Sequence, residues 1–155
     1  MKKFELTTDF KMYCGKKLFR IRALIDFGDV KAGDLGGYIE REENLSHDGN
    51  AWVSGNARVS GNACVSGNAR VTGNAWVSGN ADILWITGLG TVHRTTTAFR
   101  TPDGIRIVCG CFFDDLEQFR RQVKNTRTGK VQEEYLKFAE LVEIYFGKER
   151  VKEEE

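Results

Sequence analysis

Two histidines, a Cys-x-Cys pair and a recurring set of tryptophans and arginines are the residues of this sequence equipped to act on a ligand. His47 and His93 are its only imidazoles, and imidazole is the commonest general base near neutral pH. If the protein is an enzyme, His93 and His47 are the candidate catalytic residues. Cys109 and Cys111 lie two positions apart, so on a strand both thiols face the same way. Two thiolates are half of a tetrahedral zinc site, and no second cysteine or histidine pair exists to complete it. Neither a metal nor a cofactor is expected. A disulfide across so short a separation would be strained, and reduced thiols are expected throughout. A Gly-x-Gly-x-x-Gly fingerprint after a strand, a phosphate loop and a nucleophile elbow are all missing from the sequence.

The remaining candidates are set out by a repeat. From Gly49 to Ile83 a six-residue phrase, Gly-Asn-Ala-x-Val-Ser/Thr, recurs with little variation. Its variable position reads Trp52, Arg58, Cys64, Arg70, Trp76 and Asp82. A fixed short period marks a stack of equivalent steps, none of which buries its apolar face alone. Six is not a helical period, and no strict polar–apolar alternation is sustained, so neither a long helix nor a flat sheet fits. Valine at every sixth position, with alanine four residues after it, supplies two inward points per repeat, and Gly-Asn suits the corners. A three-sided coil does fit, and if one turn takes about eighteen residues, residues eighteen apart stack at the strand spacing of about 4.8 Å. That register stacks Asn50 on Asn68, Asn56 on Asn74 and Asn62 on Asn80 as amide ladders.

On the outside the same register pairs Trp52 with Arg70, Arg58 with Trp76 and Cys64 with Asp82. Each tryptophan–arginine pair is worth about 0.5–1 kcal/mol as a cation–π contact. Exposed tryptophan with arginine is also the composition of interface hot spots. Trp52, Arg58, Arg70, Trp76 and Asp82, with Trp85 in the more apolar coil that closes the array, are therefore the candidate ligand- or interface-binding residues.

The flanks must hold this stack. Phe4-Glu5-Leu6, Lys11-Met12-Tyr13 and Leu18 to Leu24 carry strand signals, and the turn at Cys14-Gly15-Lys16-Lys17 makes a hairpin of the last two. Arg20 and Arg22 share one face of that strand, read as solvated. A stretch dense in glycine and aspartate, Asp26 to Ile39, runs into degenerate repeats that begin near Gly37, with Ile39 and Leu45 on the alanine position and His47 on a valine position. After the array, Thr95 to Thr101 and Ile105 to Cys109 read as strands joined by Pro102-Asp103-Gly104, closing the open edge of the coil. Asp114 is the expected N-cap of a helix bearing Leu116, Phe119 and Val123. Asn125 to Gly129 reads as a loop, Val131 to Phe146 as a second helix, and Lys148 to Glu155 as a frayed tail. The expected organisation is an N-terminal β cap over 1–35, the array over 36–90, and a hairpin with two helices over 91–155.

With 23 basic and 22 acidic residues the net charge is +1, which recommends neither a nucleic-acid polymer nor an anionic membrane as partner. No apolar run approaches the roughly 18 residues of a membrane span, and Met1 to Asp9 lacks a signal-peptide core. The cytoplasm where the protein is made is the expected location.

The Gly-Asn-Ala-x-Val phrase, from about Gly36 to Leu89, resembles the hexapeptide repeat of left-handed parallel β-helices. The resemblance implies a mainly β fold: a left-handed parallel β-helix of about three turns, with an N-terminal β cap and a C-terminal β-hairpin plus two α-helices. It also implies a homo-oligomer, with a trimer as in related coils. The best-known enzymes of that fold are acyltransferases with a histidine base at a subunit interface. They carry a loop breaking out of the coil over the acyl donor, whereas 49–83 runs uninterrupted here, and the three zinc histidines of γ-type carbonic anhydrases are missing. Over nearly its full length the chain resembles a group of small phage and prophage proteins labelled hexapeptide transferase-like without a demonstrated activity. Leu18 to Leu24, Val30 to Ile39, Asn44-Leu45-Ser46 and Phe99 to Phe112 carry that likeness.

Three copies of such a coil would bring aromatic and arginine side chains together in clefts between subunits. Such clefts suit a planar anionic ligand, with arginine for phosphate and tryptophan for stacking. The expectation is a non-catalytic, phage-type oligomeric binding protein that sequesters a host nucleotide immune signal. The alternatives are an acyltransferase using an acyl-CoA donor and a structural or host-protein-binding scaffold.

Overall fold

The computed structural model describes residues 2–147, so the expected tail from Lys148 lies outside the described residues. Strands β1 (Phe4–Tyr13) and β2 (Lys16–Ala23) form an antiparallel hairpin. Its two-residue turn has both Cys14 (φ 51°) and Gly15 (φ 79°) left-handed, the turn geometry that matches the twist of the flanking strands. Strand β3 (Leu35–Ile39) lies antiparallel to β2. Four two-residue strands follow from the repeat: β4 (Trp52–Val53), β5 (Arg58–Val59), β6 (Arg70–Val71) and β7 (Trp76–Val77). The eighteen-residue register holds in both repeat pairs, with Trp52 opposite Arg70 and Arg58 opposite Trp76, all parallel.

A left-handed parallel β-helix of about three turns is nevertheless not what these residues form. The described residues make three separate sheets, none of them closed: a five-stranded sheet in the order β1-β2-β3-β5-β7, the pair β4-β6, and a four-stranded sheet. The first of these is mixed, because the antiparallel hairpin continues the parallel repeat strands. Along the remaining row only a single parallel bridge, Leu45 to Val65, connects one repeat to another. The cause is local. Each phrase supplies two extended residues before a corner glycine with φ between 62° and 72°, at Gly49, Gly55, Gly61 and Gly67, turns the chain away. A Cβ at Gly49 would lie 2.5 Å from the carbonyl oxygen of Gly67, so only glycine permits the corners to stack.

The last coil expected around Trp85 is also replaced. A 3₁₀ turn at Asn80–Asp82 reverses the chain into β8 (Ile83–Leu89), which pairs antiparallel with β9 (Arg94–Thr101). Strand β10 (Gly104–Cys109) completes the expected hairpin with β9, and β11 (Phe112–Asp114) adds the fourth strand. Helix α1 (Leu116–Thr126) is capped by Asp115, whose carboxylate accepts the Gln118 amide at 2.9 Å, one residue later than the sequence pattern predicts. Helix α2 (Gly129–Phe146) starts two residues before the expected Val131, leaving only Arg127 and Thr128 between the helices.

Two cores result. The inward alanines and valines of the repeat, Ala51 to Val77, are all buried, together with Phe4, Ile21, Ile39, Leu45, Trp52 and Phe99. Ala98 and Ile107, from the other face of the β9–β10 hairpin, pack with Phe119, Tyr135, Phe138 and Val142 of the two helices. No described helix is long and apolar enough to cross a membrane.

Candidate functional site

The outward positions of the repeat are largely covered by the chain's own flanks. Trp52 is only 3% exposed and meets Phe27 edge-on, with ring centroids 5.3 Å apart. Its register partner Arg70 turns instead to Asp29, at 3.1 Å. The Arg58 guanidinium lies 4.1 Å from the centre of the Tyr13 ring, and Tyr13 in turn meets Trp76 edge-on at 5.2 Å. The two arginines thus find an acid and a tyrosine rather than the tryptophans that the strand register sets opposite them. Trp85 is half-buried, while Trp76 keeps 37% of its surface exposed. Asp82 is buried; it accepts from the Ser78 amide and hydroxyl at 3.0 Å each and from Arg100 Nε at 2.9 Å. Its role is to hold the reversal at the end of the array.

The histidines sit in different surroundings. The Lys3 amide donates to His47 Nδ1 at 3.0 Å, so the ring proton belongs on Nε2, which lies 2.7 Å from a Glu42 carboxylate oxygen. The ring stacks on Phe4, with centroids 4.2 Å apart. The His47 hydrogen bond is the main reason the Glu42 carboxyl is held below its ordinary range. Both imidazole nitrogens are thus engaged in anchoring the start of the chain. His93 lies in the β8–β9 turn with φ 54°, its Nδ1 3.3 Å from the Gly88 carbonyl oxygen. Its Nε2 has no protein partner among the described residues.

The strongest constellation is one that the sequence pattern did not pick out. Between the outer face of the β9–β10 hairpin and the two helices lies a cleft of about 210 Å³, walled by Phe112, Phe119, Tyr135, Cys109, Arg94 and Arg127. It continues into an open chamber of about 450 Å³ that shares Arg94, Arg127, Thr126 and Tyr135. Strand alternation puts Arg94 on the same face as Thr96 and Ala98, toward the helices. Gly110, with φ 61°, turns β10 into β11, and any side chain there would strike the Arg94 guanidinium. Arg127 follows the last residue of α1 and brings its guanidinium 5.9 Å from the centre of the Tyr135 ring. Among the described residues no carboxylate lies within 4.0 Å of either guanidinium.

Tyr135 anchors the floor. Its hydroxyl donates to the Leu89 carbonyl at 3.4 Å and accepts from the Cys109 thiol at 3.9 Å, whose sulfur in turn accepts from Thr96 Oγ1 at 3.4 Å. Burial first, then the charge of and hydrogen bond to Cys109, push its phenol above the ordinary range, against the pull of Arg127 and Arg94. Tyr135 is therefore a neutral hydrogen-bonding group at physiological pH.

The chain matches no protein-family model and no curated protein. Its chemistry has to be read from this geometry. Two fixed cations, ring edges and a neutral phenol can hold an anion with a flat apolar part. The cleft holds no imidazole and no carboxylate that would act as a base, and no three metal-binding side chains cluster among the described residues. The only sequence signal near it was Cys109-Gly110-Cys111, whose glycine matters for the space it leaves to Arg94. Nothing in the spacing of Arg94 and Arg127, thirty-three residues apart, announces that they meet.

Proposed function

We propose that this protein is a non-catalytic binding protein that holds a small planar anion in the Arg94–Arg127–Tyr135 cleft. The observation that carries the reading is the convergence of two guanidiniums, without a carboxylate partner among the described residues, beside an aromatic wall. Guanidinium forks match phosphate and carboxylate oxygens, and a concave site with few convergent polar groups is the usual form of a small-molecule pocket. The cleft lies within one chain, which moves the ligand away from the subunit boundaries expected of the repeat.

The finer reading is sequestration of a host nucleotide immune signal by a phage-type protein. Its support is the likeness to small phage proteins together with this pairing of phosphate-binding and ring-binding groups. The homo-oligomeric part of the reading is supported by an apolar face on α2 and β8, where Leu141, Ile144 and Ile86 are exposed. Lys137, Glu133 and Glu134 line the groove there, so the rim carries both charges and is complementary to a second copy of itself.

Calorimetry against cyclic dinucleotides, cyclic mononucleotides and ADP-ribose-type nucleotides tests the reading. Binding to one class is expected, weakened at least tenfold by Arg94→Gln and by Arg127→Gln, with the ligand recovered unchanged after incubation. Silence across the panel, or binding indifferent to both substitutions, would overturn it.

A further inference from the structure

A second cleft, of about 410 Å³, opens on the opposite side of β9, where Thr95 and His93 face the repeat. Four segments converge on it: the turn at Gly28 and Asp29, the stacked corners carrying Asn50, Asn68 and Arg70, the β8–β9 turn with His93, and the end of β10 at Val108 and Gly110. Unlike the cleft beneath Arg94, it has no aromatic wall.

Its polar groups are arranged with spare capacity. The corner amides are in the eighteen-residue register, and the Asn50 backbone amide donates to Asn68 Oδ1 at 3.4 Å. The side-chain NH₂ groups of Asn50 and Asn68, both exposed, have no protein acceptor among the described residues. Ser54 donates to Thr72 at 2.8 Å, which leaves the Thr72 hydroxyl hydrogen to be given outward. Arg70 and Asp29 pair at 3.1 Å with side chains 39% and 74% exposed, a solvated contact that contributes little to folding and can exchange. Among the described residues His93 is one of two non-glycine residues in the left-handed region, a backbone conformation the turn imposes on it. With Nδ1–H given to the Gly88 carbonyl, Nε2 of the neutral ring remains as an acceptor.

Donors and acceptors interleaved at short spacing, one guanidinium and no stacking surface recognise a molecule rich in hydroxyls that carries an acid group. We propose that this cleft is a binding site for an acidic sugar, a saccharide bearing one phosphate or carboxylate. Arg70 takes the acid group, Asn50 and Asn68 donate to ring or hydroxyl oxygens, and His93 Nε2 accepts from a hydroxyl. The site is distinct from the Arg94–Arg127 cleft: the two share no lining residue, Arg94 and Thr95 point to opposite faces of β9, and only the backbone at Gly110 separates them.

The test is titration of the full chain, by calorimetry and by amide chemical shifts, with glucose 6-phosphate, glucuronate, glucose and inorganic phosphate. At least one acidic sugar is expected to bind at least tenfold more tightly than either glucose or phosphate. Arg70→Gln and Asn68→Ala should each weaken it tenfold or more, while Arg94→Gln leaves it unchanged. If Arg70→Gln fails to fold, Asn68→Ala and Asn50→Ala decide. Silence of both acidic sugars at millimolar concentration overturns the proposal, as does phosphate binding as tightly as glucose 6-phosphate, or unchanged binding in the asparagine variants.

Discussion

Lys3 Nζ donates to the carbonyl of Ala51 across 2.8 Å, deep in the wall of the first repeat, and to that of Gly49 at 3.3 Å. The residue is only 1% exposed, and its ammonium also lies 4.7 Å from the centre of the Phe27 ring. A charged side chain so placed stitches the start of the chain onto the repeat at the expense of desolvation. Burial lowers its pKa from 10.5 to about 8, against the opposing pull of Asp48.

The sign of the pH dependence follows. Between about pH 8 and 10.5 the unfolded chain binds the Lys3 proton and the folded chain does not, so this residue makes stability rise with pH across that window. Below about pH 8 its destabilising contribution is present in full. Urea midpoints of wild type and Lys3→Met at pH 7.5 and 10 should show the wild type gaining on the variant at the higher pH. A constant difference between them would show that Lys3 titrates as in the unfolded chain.

Glycine substitutions separate the corners of the repeat from the ordinary turns. Gly33 has φ 97° and open space around it, whereas Gly49 has φ 72° and the Gly67 carbonyl oxygen 2.5 Å from where a Cβ would sit. Gly33→Ala should cost about 1 kcal/mol, the penalty for a left-handed alanine. Gly49→Ala must also separate two rungs and should cost measurably more in a thermal or urea melt. Equal costs would mean that the corners are not close-packed.

The three tryptophans are not equivalent. Trp52 is sealed under Phe27 and the strand β3, so Trp52→Ala should destabilise the fold by about 3–5 kcal/mol. Trp76 is 37% exposed and meets Tyr13 at its edge, and its removal should cost no more than about 1.5 kcal/mol. Chemical denaturation followed by circular dichroism checks both. Equal losses would contradict the different burial of the two faces.

Ligand occupancy should be visible at a thiol. Cys14, Cys64 and Cys111 are exposed, and Cys109 is half-buried beside Tyr135. Only Cys109 and Cys111 line the Arg94–Arg127 cleft. Saturating nucleotide ligand should slow alkylation of Cys111 severalfold in peptide mapping and leave Cys14 and Cys64 unchanged. Uniform protection, or none, would place the ligand elsewhere.

The sequence alone determined the packing unit of this protein. Valine every sixth residue with alanine between leaves no other inward set, and the eighteen-residue register follows from stacking identical corners, as Trp52 opposite Arg70 and Arg58 opposite Trp76 demonstrate. The C-terminal hairpin and both helices were equally legible, because turn residues, caps and 3–4 spacing are local signals. What the array becomes was not legible. Whether two-residue strands close into a coil or are divided among sheets depends on which distant segment continues each row. Here the β1–β2 hairpin does so on one face, and β8 departs from another. Side-chain destinations were lost for the same reason: an outward position is outward only until a flank covers it, as Phe27 covers Trp52 and Tyr13 covers Arg58. The pairing of Arg94 with Arg127 belonged wholly to the tertiary structure, since guanidiniums far apart in the chain converge only when a strand edge and a helix end are docked, and docking is a long-range choice.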